Sequence, residues 1–145
     1  RLEREPVDAS QVLVEALASL YGQFKERGWE PVIELADQPL MVDSNADALA
    51  RIFRNLVVNA LRYGCEPPRI MQEGRSVAFA NRVADPDGVD AERLFERFYQ
   101  GDAARGGGGS GLGLAIVAQL ARALRIDVSA RLDGDVLTVE LAFPE

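Results

Sequence analysis

Apolar residues recur at helical spacing through Leu13, Ala16, Leu17, Leu20, Tyr21 and Phe24, which predicts an amphipathic helix that buries this face. Asp8 or Ser10 stands where a cap would start it, and Gly28 where it would stop. Residues 31–43 read instead as two short strands broken by Asp37-Gln38-Pro39. From Asp47 to about Tyr63 the helical period returns, turning Leu49, Ile52, Phe53, Leu56, Val57, Ala60 and Leu61 inward. Arg69 to Met71 and Ser76 to Val83 are strand-like around a turn at Glu73-Gly74. Residues 84–109 lack regular pattern apart from the amphipathic LFERFY at 94–99, and they end in four glycines, Gly106 to Gly109. A further helix is predicted from about Ser110 to Leu124, with Leu112, Ala115, Ile116, Leu120 and Leu124 inward. Ile126, Val128, Ala130 and Leu132 then alternate, Asp133-Gly134 turns, and Leu137, Val139, Leu141 and Phe143 alternate again as a closing hairpin.

This order of elements predicts an α+β fold, a two-layer sandwich whose mixed sheet is covered on one face by three helices. No internal repeat is present, and residues 1–145 read as a single domain. A chain of this length can bury roughly 68 to 70% of its unfolded surface, enough for a core without a structural metal or disulfides.

Composition narrows the functional classes. With 16 Lys+Arg against 23 Asp+Glu the formal net charge is −7, the wrong sign for neutralising nucleic-acid phosphates. The single cysteine, Cys65, can form no internal bridge and offers no zinc cluster, which points to a reducing, cytoplasmic setting. The absence of histidine excludes His-based catalysis within the chain. No apolar run approaches the roughly 18 residues of a membrane helix, so no membrane contact is expected of this domain. The chain starts at Arg1 without a signal-peptide pattern, and it is expected to be a domain excised from a longer protein.

Two stretches carry candidate chemistry. In RIFRNLVVNALRYG, Asn55 and Asn59 are four residues apart and share one helix face, with Arg62 one turn further on and Arg51 one turn before. Asn costs a helix roughly 0.5 kcal/mol relative to Ala, so its use twice on one face is uneconomic for mere solvation. Amide oxygens are hard neutral ligands that suit Mg²⁺, which also takes substrate phosphates, and Arg62 can neutralise those phosphates. Taken by themselves, the same residues read equally well as a tolerated polar face. The second stretch is Gly109-Ser110-Gly111-Leu112-Gly113-Leu114, where glycines let the backbone approach a ligand and aim free N–H groups at an anion. A flexible glycine linker is the competing reading. The G-x-G-x-x-G spacing at Gly106, Gly108 and Gly111 lacks a preceding buried strand, and no G-x-x-x-x-G-K-S/T run occurs, so an ordinary P-loop is excluded.

Together, the Asn-rich helix, LFERFY and GSGLGLAI, in this order and spacing, closely resemble the catalytic and ATP-binding domain of bacterial sensor histidine kinases. The wider family includes the gyrase, Hsp90 and MutL ATPases. The resemblance runs from about Val7 to Phe143. Asn55 and Asn59 with Arg62 and Tyr63 match the N box, Phe95 and Phe98 the F box, and Gly109, Gly111 and Gly113 the G2 box. It implies a Bergerat-type sandwich holding ATP and Mg²⁺ between the N-box helix and a lid at about 84–109. Asn59, with Asn55, would hold the metal. Nucleotide contacts would come from Asn55, Asn59, Arg62, Tyr63 and the turn at Gly109, Ser110, Gly111, Leu112, Gly113 and Leu114, with Arg105 near the γ-phosphate.

The departure is the adenine box, normally D-x-G-x-G-I. Counting back fourteen residues from Phe95, as the family pattern requires, reaches Asn81, which shares a strand face with Val77 and Phe79. Val83 and Asp85 then replace the two glycines. The rival alignment puts Asp85 in the Asp role with Gly88 behind it, at an interval of ten.

The resemblance further implies γ-phosphate transfer to a histidine on a dimerisation domain outside this chain, which also holds the general base. A response regulator would be an indirect partner, the isolated domain a monomer, and the parent protein membrane-anchored. Two other functions fit the same motifs: a degenerate module that binds ATP weakly or not at all and serves protein interaction, and an anti-sigma-factor serine kinase.

Overall fold

The computed structural model describes residues 2–96 and 113–145. Its elements in chain order are strand β1 (Glu5–Asp8), helices α1 (Ala9–Ser19) and α2 (Tyr21–Arg27), strands β2 (Val32–Glu34) and β3 (Met41–Ser44), and helix α3 (Ala46–Tyr63). Strands β4 (Arg69–Glu73) and β5 (Ser76–Arg82) follow, then two 3-10 turns at Pro86–Gly88 and Ala91–Arg93. Helix α4 (Gly113–Ala123) and the hairpin β6 (Asp127–Asp133) and β7 (Val136–Ala142) close the chain.

The main sheet has the order β2-β4-β5-β7-β6, with β2 and β4 parallel and every other neighbour antiparallel. Helices cover one of its faces, as the alternation of apolar residues requires. On that face Val77, Phe79 and Asn81 of β5 lie opposite Leu141, Val139 and Leu137 of β7. Phe79 meets Phe53 of α3 there, with ring centroids 6.0 Å apart. The opposite face carries polar partners, including Arg131 and Glu140 in an ion pair at 3.5 Å. The two-layer α+β sandwich expected from the element order is therefore the fold.

Helix α3 is anchored by packing rather than by its polar face. Leu49, Ile52 and Phe53 are fully buried, and each such side chain contributes roughly 1.5 to 3 kcal/mol by leaving water. Asn45 caps its start by accepting the Ala48 N–H at 2.9 Å. Asp8 does the same for α1, accepting from the Gln11 N–H at 3.1 Å, so Ser10 is not the cap.

Several expectations are corrected. The predicted first helix is two: Ser19 Oγ donates to Ala16 O at 2.7 Å, and the Leu20 N–H closes a tight turn on Leu17 O at 3.1 Å. The break turns Tyr21 outward to 66% exposure, although its spacing placed it on the buried face. The sandwich thus has four helices instead of three. The two strands of residues 31–43 do not form a pair. β2 joins the main sheet, whereas β3 pairs antiparallel with β1, a strand the pattern did not reveal because it is only four residues long and contains a proline. In α4 the buried residues are Leu114, Val117 and Ala121, while Ala115, Ile116 and Leu120 are half-buried, so the inward stripe within the helix is rotated by about one residue from the predicted one.

Candidate functional site

Asn55 and Asn59 project from α3 one turn apart and are both half-buried, at the boundary between core and solvent. Their position follows from the helix itself, since burying Leu56, Val57 and Ala60 leaves these two positions at the edge of the covered face. Asn55 reaches α4: its Nδ2 donates to Gly113 O at 3.4 Å. The Asn-rich helix and the end of the glycine-rich stretch, 58 residues apart in sequence, are therefore neighbours in space. Gly113 is exposed, and a Cβ built on it would meet no atom within 4 Å. Leu114 behind it is buried and secures the start of α4 to the core. Arg62 is exposed and Tyr63 half-buried in the last turn of α3. Phe95 is half-buried and packs against the core. Phe98, Arg105, Gly109, Ser110, Gly111 and Leu112 lie outside the described residues.

Asn81 ends β5 on the helix-covered face and is 8% exposed. Its Nδ2 donates to Arg82 O at 3.4 Å. Asp85 is exposed and leads into the first 3-10 turn, beyond the end of the strand. Val83, where the adenine box has its first glycine, is buried: it forms a β-bridge with Gly64 and its N–H donates to Asp135 O at 2.8 Å. Its side chain belongs to the core, which removes it from the open part of the site.

The sequence reading missed the residues that hold this corner together. Gly64 follows α3 directly, and a Cβ there would stand 2.6 Å from Ala60 O and 3.2 Å from Asn81 Nδ2. The Cys65 N–H donates to Arg82 O at 2.9 Å. Arg82 itself pairs with Asp135 at 2.7 Å and with Glu66 at 3.2 Å. The hydrogen bond it donates to Asp135, aided by the charges of Asp135 and Glu66, holds its guanidinium pKa above the ordinary arginine value. From the other side, Arg27 at the end of α2 donates to Leu61 O and to Gly64 O, two carbonyls at the C-terminal end of α3. A glycine immediately after the Asn-rich helix was the only local signal for any of this.

No cluster of three His, Cys, Asp or Glu residues able to hold a metal exists among the described residues. Asn55 and Asn59 offer amide oxygens, a donor type that could hold a hard cation sharing phosphate oxygens. No helix among the described residues is long and apolar enough to cross a membrane.

Residues 44–145 match the family described as histidine kinase-, DNA gyrase B-, and HSP90-like ATPase. The signal transduction histidine-protein kinase BaeS of Escherichia coli is 33% identical over 96% of this chain, and the match covers 32% of that protein. The sensor protein VanS of Enterococcus faecium is 34% identical over 82% of this chain and 33% of its own length. The chain thus spans about a third of the length of these curated relatives. Among solved structures, the mycobacterial sensor histidine kinase MprB superposes with a TM-score of 0.77 at 23% identity, covering 97% of both chains. The catalytic domain of histidine kinase ThkA reaches 0.78 at 14% identity, covering 99% of this chain and 96% of that one. At these identities the two structures speak for the fold.

Proposed function

Because this chain belongs to the histidine kinase-, DNA gyrase B- and HSP90-like ATPase family, we propose that it is the ATP-binding catalytic domain of a sensor histidine kinase. It would bind ATP with Mg²⁺ and donate the γ-phosphate to a histidine on a dimerisation domain of the same kinase. The observation that carries this reading is the junction of Asn55 with Gly113, which joins the Asn-rich helix to the glycine-rich helix start.

When bound, Mg²⁺ supplies charge neutralisation between phosphate oxygens. The chain's own work is binding and orientation. Asn59, with Asn55, offers neutral amide oxygens to the cation, and Arg62 offers a guanidinium to phosphate. First-turn N–H groups of a helix such as α4 favour anionic oxygen. Asn81 presents an amide oxygen to an exocyclic amine. Such a site accelerates phosphoryl transfer by positioning and electrostatics, with the acceptor histidine and general base supplied from outside. The chain contains no histidine, so by itself it has nothing to phosphorylate at that residue. Within this reading the lid is proposed at about 84–109 and Arg105 as a phosphate contact; residues 97–112 lie outside the described residues. The domain is a cytoplasmic monomer excised from a membrane-anchored parent that signals to a response regulator.

Calorimetric titration with ATP, with and without Mg²⁺, tests the proposal. Saturable heat that requires the metal is expected. Silence at millimolar ATP would overturn it in favour of a degenerate module for protein interaction, the reading motivated by Asn81 standing where the adenine box has Asp.

A further inference from the structure

Asn81 is more than nine-tenths buried, yet only half of its amide is in use. Its Nδ2 has the Arg82 carbonyl, and no hydrogen bond is made by its Oδ1 among the described residues. Ser44 Oγ is the one sealed-off side-chain atom without a partner among the described residues, so the Asn81 Oδ1 keeps access to solvent and is free to accept from a ligand.

The carbonyl that takes the Nδ2 is held from three directions. It accepts the Cys65 N–H at 2.9 Å, its own side chain is tied to Asp135 and Glu66, and the next residue's N–H is bound to Asp135 O. Rotating the amide by half a turn would set Oδ1 against this immobile carbonyl oxygen, an acceptor facing an acceptor. The Nδ2 lies against the space left by Gly64, whose missing Cβ would stand 3.2 Å from it.

We infer that Gly64 is a specificity-determining position: together with the Arg82 carbonyl it locks the Asn81 amide with its oxygen outward, so that the base site accepts a 6-amino purine and rejects a 6-oxo purine without using a charge. This deepens the nucleotide-binding reading above and rests on it. The selectivity comes from orientation. A free asparagine could turn its NH₂ toward a carbonyl and its oxygen toward an amine with equal ease.

The test uses the whole chain, with ATP and inosine triphosphate as probes, because these differ in the 6-substituent, amino against oxo, and in the N1 proton that accompanies the oxo group. Binding in the presence of Mg²⁺ is expected to favour ATP by at least about ten-fold. In Gly64→Ala this preference should fall several-fold. In a chain that also carries Asn81→Asp, Gly64→Ala should leave the preference unchanged, because a carboxylate presents an oxygen whichever way it is turned. A general distortion of the site would instead reduce discrimination in both backgrounds, and that result would overturn the inference. Equal affinity of the unaltered chain for the two nucleotides would also overturn it, whether or not Gly64→Ala folds. If neither nucleotide binds any variant, the nucleotide reading itself falls, an outcome distinct from binding without discrimination.

Discussion

The guanidinium of Arg27 lies 3.9 Å above the ring of Trp29 while donating to Leu61 O, so one cation closes α2 onto the C-terminal end of α3. Positive charge at that end opposes the partial negative charge of the unpaired helix carbonyls, and the indole face adds a cation–π attraction. Gly28, in the left-handed region at φ 68°, makes the turn between the two residues. Arg27→Ala is expected to cost about 1.5 kcal/mol, with Arg27→Lys recovering less than half of it, since an ammonium cannot both stack and fork. Urea denaturation followed by circular dichroism measures both. A midpoint unchanged in Arg27→Ala would show that the clamp contributes nothing.

Asn59→Ala should abolish the Mg²⁺-dependent part of nucleotide binding while leaving the fold intact. Alanine is the better helix former by roughly 0.5 kcal/mol, and Asn59 is only half-buried, so no core cavity opens. Calorimetry at matched Mg²⁺ checks this. Equal affinity in variant and parent would remove Asn59 from the metal assignment.

Asn81→Asp should tighten ATP by roughly 1 kcal/mol, about five-fold, and leave GTP unhelped. The charged acceptor strengthens the bond to an exocyclic amine but repels the guanine carbonyl, and the cost of burying a carboxylate limits the gain. Asp85→Asn should leave both affinities unchanged, because Asp85 is exposed beyond the strand end. The opposite pattern, no response at Asn81 and lost ATP binding at Asp85, would transfer the adenine role to Asp85.

Arg125→Gly should stabilise the domain by about 0.5 to 1 kcal/mol. Arg125 follows α4 and holds a φ of 63°, the only non-glycine residue with positive φ among those described. A side chain is strained in this conformation, and glycine relieves the strain at a helix end where it is the preferred residue. The melting temperature should rise by a few degrees. A fall would mean that the Arg125 side chain contributes more than its backbone costs.

Local periodicity by itself determined much of this protein. The burial of Leu49, Ile52, Phe53, Leu56, Val57, Ala60 and Leu61, the β6–β7 hairpin and the shared face of Val77, Phe79 and Asn81 each follow from spacing within one element. The Asn55 and Asn59 face was legible for the same reason, because both residues lie on one helix. Tertiary structure alone decided the pairing of β1 with β3, the parallel seat of β2 beside β4, and the outward turn of Tyr21. It also decided the corner around Asn81. Arg27 meets Leu61 across 34 residues and Cys65 meets Arg82 across 17, and a side chain's repeat along its own element carries no information about such partners. The identity of Asn81 is written in the sequence. The direction of its amide is set by a glycine and a carbonyl that reach it only when the chain is folded.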